Sequence, residues 1–200
     1  RDGSATVNVT KASATNTVKI TGTNTWGQTL TATITTNSDG AKGYQWYYNA
    51  SNSTSGGTAI SGATSSTYVV DKAYVGKYIY VVASVGAGTN HNEATNSTDI
   101  TDATANTTAT VAKQDLAVTV TNGSRAYNGS ALYATVKVTS ANWDGKTIVS
   151  GTSTSYGNTV TSTGAVNTAY NLLPGYTDFT NGAKTVYYKV TGGTYYNDAT

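Results

Sequence analysis

Short runs of alternating apolar and polar residues, each stopped by a glycine turn, constrain this chain more than any other feature. Alternation is plain in Ala5-Thr6-Val7-Asn8-Val9, in Thr29-Leu30-Thr31-Ala32-Thr33-Ile34 and in Leu116-Ala117-Val118-Thr119-Val120. A period of two puts every second side chain on one face of a strand, whereas a helix needs apolar residues three and four apart. Asp39-Gly40, Gly56-Gly57, Asn122-Gly123, Asp144-Gly145 and Gly192-Gly193 fall between such runs. Pairs of this kind supply the positive-φ backbone of tight turns. The pattern predicts an all-β chain of antiparallel sandwiches. The 16 tyrosines and 21 glycines against one proline fit it, since aromatics suit half-buried pleated surfaces and glycine suits the turns.

At 200 residues the chain has room for two domains. The polar run between His91 and Ala109, almost free of large apolar residues, reads as a long loop leading into a last strand at 109–112. That places a boundary at Lys113-Gln114, with a leading strand in 1–12, a first domain in 13–112 and a second in 113–200. Twelve Lys and Arg against ten acids leave a net charge of +2, and the cations are scattered singly. Phosphate recognition needs a clustered basic face, so no nucleic-acid partner is expected. No window approaches the ~18 apolar residues of a spanning helix, so no membrane insertion is expected either. Without cysteine the chain has no disulfide, thiolate ligand or thiol nucleophile. His91 and Glu93 are each the sole residue of their type. His91 has no Gly-x-Ser-x-Gly elbow to serve. Asp99 and Asp102 sit in the polar loop, and with Glu93 they lack the spacing of a calcium loop. The expectation is a protein that is not an enzyme and has no cofactor or metal site.

Several stretches carry a family resemblance. Tyr44-Gln45-Trp46-Tyr47-Tyr48, Ile60-Ser61-Gly62-Ala63-Thr64-Ser65-Ser66-Thr67-Tyr68 and Val75-Gly76-Lys77-Tyr78-Ile79 resemble the cysteine-free immunoglobulin-like repeats of bacterial surface proteins. The resemblance implies that Trp46 is the core tryptophan, that Tyr80 and Ala32 stand where a disulfide would be, and that Trp46 touches Tyr80. Tyr127-Asn128-Gly129-Ser130-Ala131, Trp143-Asp144-Gly145-Lys146-Thr147-Ile148 and the run from Gly182 to Gly193 resemble a second, glycine-rich β repeat of the same proteins. Two tandem immunoglobulin-like β-sandwiches on the cell exterior are therefore expected.

Ala5-Thr6-Val7 near the start echoes Ala109-Thr110-Val111 at the end of the first domain, each followed soon by a lysine. If the second copy closes the first domain, the first copy closes something else. Residues 3–10 are accordingly expected to pair as a strand with the 115–200 domain of a neighbouring copy or adjacent repeat, offering Ala5, Val7 and Val9 to its open core. Lys19, Lys137 and Lys189 lie within strands between apolar neighbours, so alternation turns them outward rather than into a cross-link in the core. Tyr47, Tyr187 and Tyr195 are candidate glycan contacts, because flat outward rings can stack on sugars. The expected function is a structural, non-enzymatic segment of an extracellular surface protein or filament: a stalk, surface-layer piece or fibre subunit joined head to tail. A carbohydrate-binding adhesin module is the alternative.

Overall fold

In a computed structural model of the chain, residues 3–91, 94–96, 109–126, 128–177 and 182–200 are described. They divide into two compact units, Arg1–Ala112 and Lys113–Thr200. Nearly all regular structure in both is β-strand.

The first unit carries β1 (Asn16–Thr21), β2 (Thr29–Thr36), β3 (Lys42–Asn49), β4 (Thr58–Ala59), β5 (Thr67–Val69), β6 (Tyr78–Val85) and β7 (Ala94–Asn96). They form a three-stranded sheet in the order β1-β2-β5 and a four-stranded sheet in the order β4-β3-β6-β7. β7 lies within the stretch that composition alone reads as a loop. Alternation works as expected in β1, where Asn16, Val18 and Ile20 are buried and Thr17, Lys19 and Thr21 face solvent. One continuous core gathers Val18, Ile20, Leu30, Ala32, Ile34, Trp46, Ile79, Val81, Ala83 and Val85. Trp46 is wholly buried, and its indole N–H donates to the Ser65 carbonyl at 2.8 Å, so the ring brings no unsatisfied donor into the core.

The register corrects the expected partner of Trp46. Val81 stands opposite Trp46, and Tyr80 stands opposite Tyr47. Directly opposed residues share a face, so Tyr80 lies on the other side of the sheet from Trp46. It is nonetheless buried, because its ring stacks on Tyr47 with centroids 4.9 Å apart and planes 6° from parallel. Gly57 also closes on it, and a Cβ there would strike the Tyr80 ring. Trp46 makes a ring contact with Tyr68, their centroids 5.7 Å apart.

The second unit carries β8 (Gln114–Asp115), β9 (Val118–Thr121), β10 (Thr135–Val138), β11 (Thr147–Gly151), β12 (Asn158–Thr161), β13 (Ala169–Asn171), β14 (Tyr187–Val190) and β15 (Tyr196–Asn197). Two three-stranded antiparallel sheets run β13-β10-β9 and β12-β11-β14, and β15 pairs in parallel with β8. Val136, Val138, Ile148, Leu172 and Val190 are completely buried. Trp143 donates to the Thr191 carbonyl at 2.7 Å and the Tyr196 hydroxyl to that of Ala141 at 2.6 Å.

The same loop contacts recur in both units. Asp39 accepts from the Thr89 N–H and Asp144 from the Thr194 N–H, each at 2.9 Å and each across 50 residues. Contacts from the threonine hydroxyl and N–H hold both carboxyls below their ordinary pKa. Both aspartates precede a glycine pressed against a facing carbonyl: a Cβ on Gly40 would strike that of Gly86, and one on Gly145 that of Thr191. Lys11 Nζ donates to the Gly88 carbonyl at 2.9 Å, and Lys113 Nζ to that of Gly193 at 2.5 Å. The next residue then pairs in parallel with the far strand, Ala12 with His91 and Gln114 with Tyr196. Beneath these contacts lie matching sequences, Gly88-Thr89-Asn90-His91-Asn92-Glu93-Ala94-Thr95 and Gly193-Thr194-Tyr195-Tyr196-Asn197-Asp198-Ala199-Thr200. One frame is used twice, and each copy is locked at its start by a lysine.

Candidate functional site

The segment at 109–112 shows what Ala-Thr-Val does when it is paired. Val111 is 1% exposed and lies between two backbones. On one side its N–H donates to the Lys77 carbonyl at 2.7 Å and its carbonyl accepts from Gly76 at 2.9 Å. On the other, Ala112 donates to the Asn24 carbonyl at 2.8 Å and accepts from Trp26 at 3.3 Å. The Asn24 side chain adds a bond from Nδ2 to the Ala109 carbonyl at 3.0 Å. Both bridges, Val75 with Val111 and Thr25 with Ala112, are parallel. A short segment thus closes the first unit between its β1–β2 connection and the lead into β6.

Residues 3–10 hold the same tripeptide without a partner strand in the single chain. They form no β-ladder, and Val7 and Val9 are 83% and 90% exposed. Ala5 is exposed as well. Regular pairing resumes at Ala12, whose N–H donates to the Asn90 carbonyl at 3.0 Å.

The second unit has an opening where the first is closed. A cavity of about 500 Å³ lies between the end of β9 and the lead into β14, with Val120, Asn122 and Gly123 on one side and residues 182–186 on the other. Leu132, Leu172 and Tyr188 contribute further lining. Among the described residues β9 pairs with β10 alone and forms the rim of its sheet, as β1 does in the first unit. Its apolar residues are not covered as those of β1 are. Val18 and Ile20 are 1% and 3% exposed, but Val118 is only half-buried and Val120 is 39% exposed.

The aromatic candidates are dispersed. Tyr47 belongs to the first unit and has one face occupied by Tyr80. Tyr187 and Tyr195 belong to the second, Tyr187 43% exposed and Tyr195 half-buried. Of the lysines, Lys19 faces solvent, and Lys189 makes a surface ion pair with Asp198 at 2.7 Å. Lys137 is half-buried on β10 between the buried Val136 and Val138. His91, expected in an exposed loop, is half-buried and bridges to Ala12. Glu93, Asp99 and Asp102 lie outside the described residues. Among the described residues no cluster of three or more His, Asp or Glu forms a metal-binding group. No helix among them is long and apolar enough to cross a membrane.

No family model and no curated protein sequence matches the chain.

The sequence carried the Ala-Thr-Val echo but not the cavity. The signal that would have located the cavity was the repeated Gly-Thr-x-x-Asn-acid-Ala-Thr run, which sets the two units in register with one another.

Proposed function

We propose that the chain is a structural, non-enzymatic segment of an extracellular surface protein or filament, made of two tandem immunoglobulin-like sandwiches. The observation that carries this reading is the junction between the units. Residues 109–112 are bonded into the first, and Lys113 and Gln114 into the second. Each unit thus holds this segment of chain by its own bonds, which suits units that each bear tension. Internal duplication supports the same reading, since stalks and surface layers are built by repeating a module. Sparse charge over a Thr-rich and Asn-rich surface gives solubility through uncharged polar groups.

Single-molecule extension of the full chain tests this. Two discrete unfolding events are expected, one per unit, with the first unit resisting longer because its closing segment has to be torn from backbone on both sides. Smooth extension with no discrete event contradicts a mechanical role. Exposed Tyr187 keeps a glycan-binding module as the second reading. Quenching or enhancement of aromatic fluorescence by a polysaccharide, lost in Tyr187→Ala, would favour it.

A further inference from the structure

We infer that the cavity beside β9 is an acceptor groove, and that its occupant is the 4–9 segment of a second copy of this chain. The inference rests on the structural-segment reading and specifies how such segments join. In the first unit the closing strand sits between the β1–β2 connection and the lead into β6. In the second unit the corresponding boundaries, the stretch after β9 and the stretch before β14, enclose the cavity instead. The tripeptide that fills the first site, Ala109-Thr110-Val111, recurs as Ala5-Thr6-Val7, with its valine in solvent.

The order of segments along the chain identifies the partner. At the junction between the units, a closing segment leads directly into a lysine lock, Lys113 on Gly193. Residues 4–9 likewise lead into a lock, Lys11 on Gly88. A segment placed this way closes a unit other than the one its lock opens, and the open site that matches it is the cavity of the second unit, here offered by another copy. Val7 takes the place of Val111, running parallel to residues 182–186, and Val9 extends the apolar contact. Val120, which lines the cavity, is thereby covered. Unpaired strand edges and exposed valines are what soluble β proteins otherwise avoid. Because donor and acceptor are different surfaces, the contact does not close on itself and the copies add head to tail.

The test uses two variants of the full chain. Val7→Asp with Val9→Asp removes the donor and leaves the acceptor; Val120→Asp does the reverse, on a residue exposed enough to keep the fold. Wild-type chain at high micromolar concentration should sediment as a ladder of oligomers and each variant alone as a monomer, while an equimolar mixture stops at the dimer. A synthetic peptide of residues 3–11 should also shift the amide resonances of Val120 and of residues 182–186 and cap the wild-type ladder. The inference is overturned by a wild-type chain that stays monomeric while the peptide leaves those resonances unmoved. It is equally overturned by a ladder that survives both variants, or by a monomer whose own residues 3–10 already protect residues 182–186. A monomeric chain that still gives two discrete unfolding events would leave the mechanical reading standing and remove the assembly alone.

Discussion

The two Ala-Thr-Val segments have the same side chains in the same order and opposite surroundings. Val111 is locked between two backbones at 1% exposure, and Val7 stands in solvent at 83%. The difference lies outside the tripeptide. Val111 finds the N–H of Gly76 and the carbonyl of Lys77 beside it, whereas Val7 lies in no ladder among the described residues. A strand is a property of a pair, and alternation marks a segment able to join a sheet without choosing the sheet. The units repeat the contrast at larger scale. β1 buries its alternate residues under a closed first unit, and β9, at the matching place in the frame, leaves Val120 uncovered beside a cavity.

The largest effect expected from a single change falls on the closed unit. Trp46→Ala removes a wholly buried ring and should cost about 3–5 kcal/mol, read as an earlier urea transition of the first unit with the second unmoved. A simultaneous shift of both transitions would show that the units do not fold independently and would break the comparison. Next comes the matched pair. Val111→Ala should destabilise the first unit by roughly 1.5–3 kcal/mol, while Val7→Ala in dilute chain should change stability by less than about 0.5 kcal/mol. Equal costs would mean that Val7 is buried as well.

Asn24→Ala sharpens the comparison further. It removes the Nδ2 bond that tethers Ala109 and should cost about 1 kcal/mol, with faster amide exchange confined to residues 109–112. The smallest effect is acid sensitivity of the shared loop lock. Asp39 and Asp144 have lowered pKa values in the folded chain, chiefly through the Thr89 and Thr194 side chains. Their contribution is therefore complete above the unfolded aspartate pKa of about 3.9 and is lost as pH falls through the lower folded values. Asp39→Asn and Asp144→Asn should each flatten the stability curve below about pH 4 and leave its slope at neutral pH unchanged.

Much of the fold was legible from local pattern. The alternation in Val18-Lys19-Ile20 and in Leu30 to Ile34 set which residues face inward, and both strands bury the expected ones. A tryptophan amid tyrosines pointed to the centre of the first core. The pairing register was not legible. Tyr80 and Val81 are both apolar enough to face Trp46, and only the cross-strand ladder decides that Val81 does. β7 was hidden because Ala94, Thr95 and Asn96 carry no large apolar residue, so their pairing with β6 leaves no hydrophobic signature. The acceptor groove was hidden for a different reason. It is built where backbone is missing a neighbour, and no residue type marks such a place.

The central claim is that residues 4–9 and the cavity bounded by residues 182–186 are two halves of one closure, met only between copies. Amide hydrogen exchange on the full chain, measured residue by residue in dilute and in concentrated solution, addresses it most directly. In dilute solution residues 109–112 should be protected, while residues 3–10 and 182–186 exchange freely. On concentration both of the latter should become protected together, and Val120→Asp should abolish the change in residues 3–10. Protection of residues 3–10 already present in dilute chain, or exchange at residues 182–186 that ignores concentration, would contradict the account.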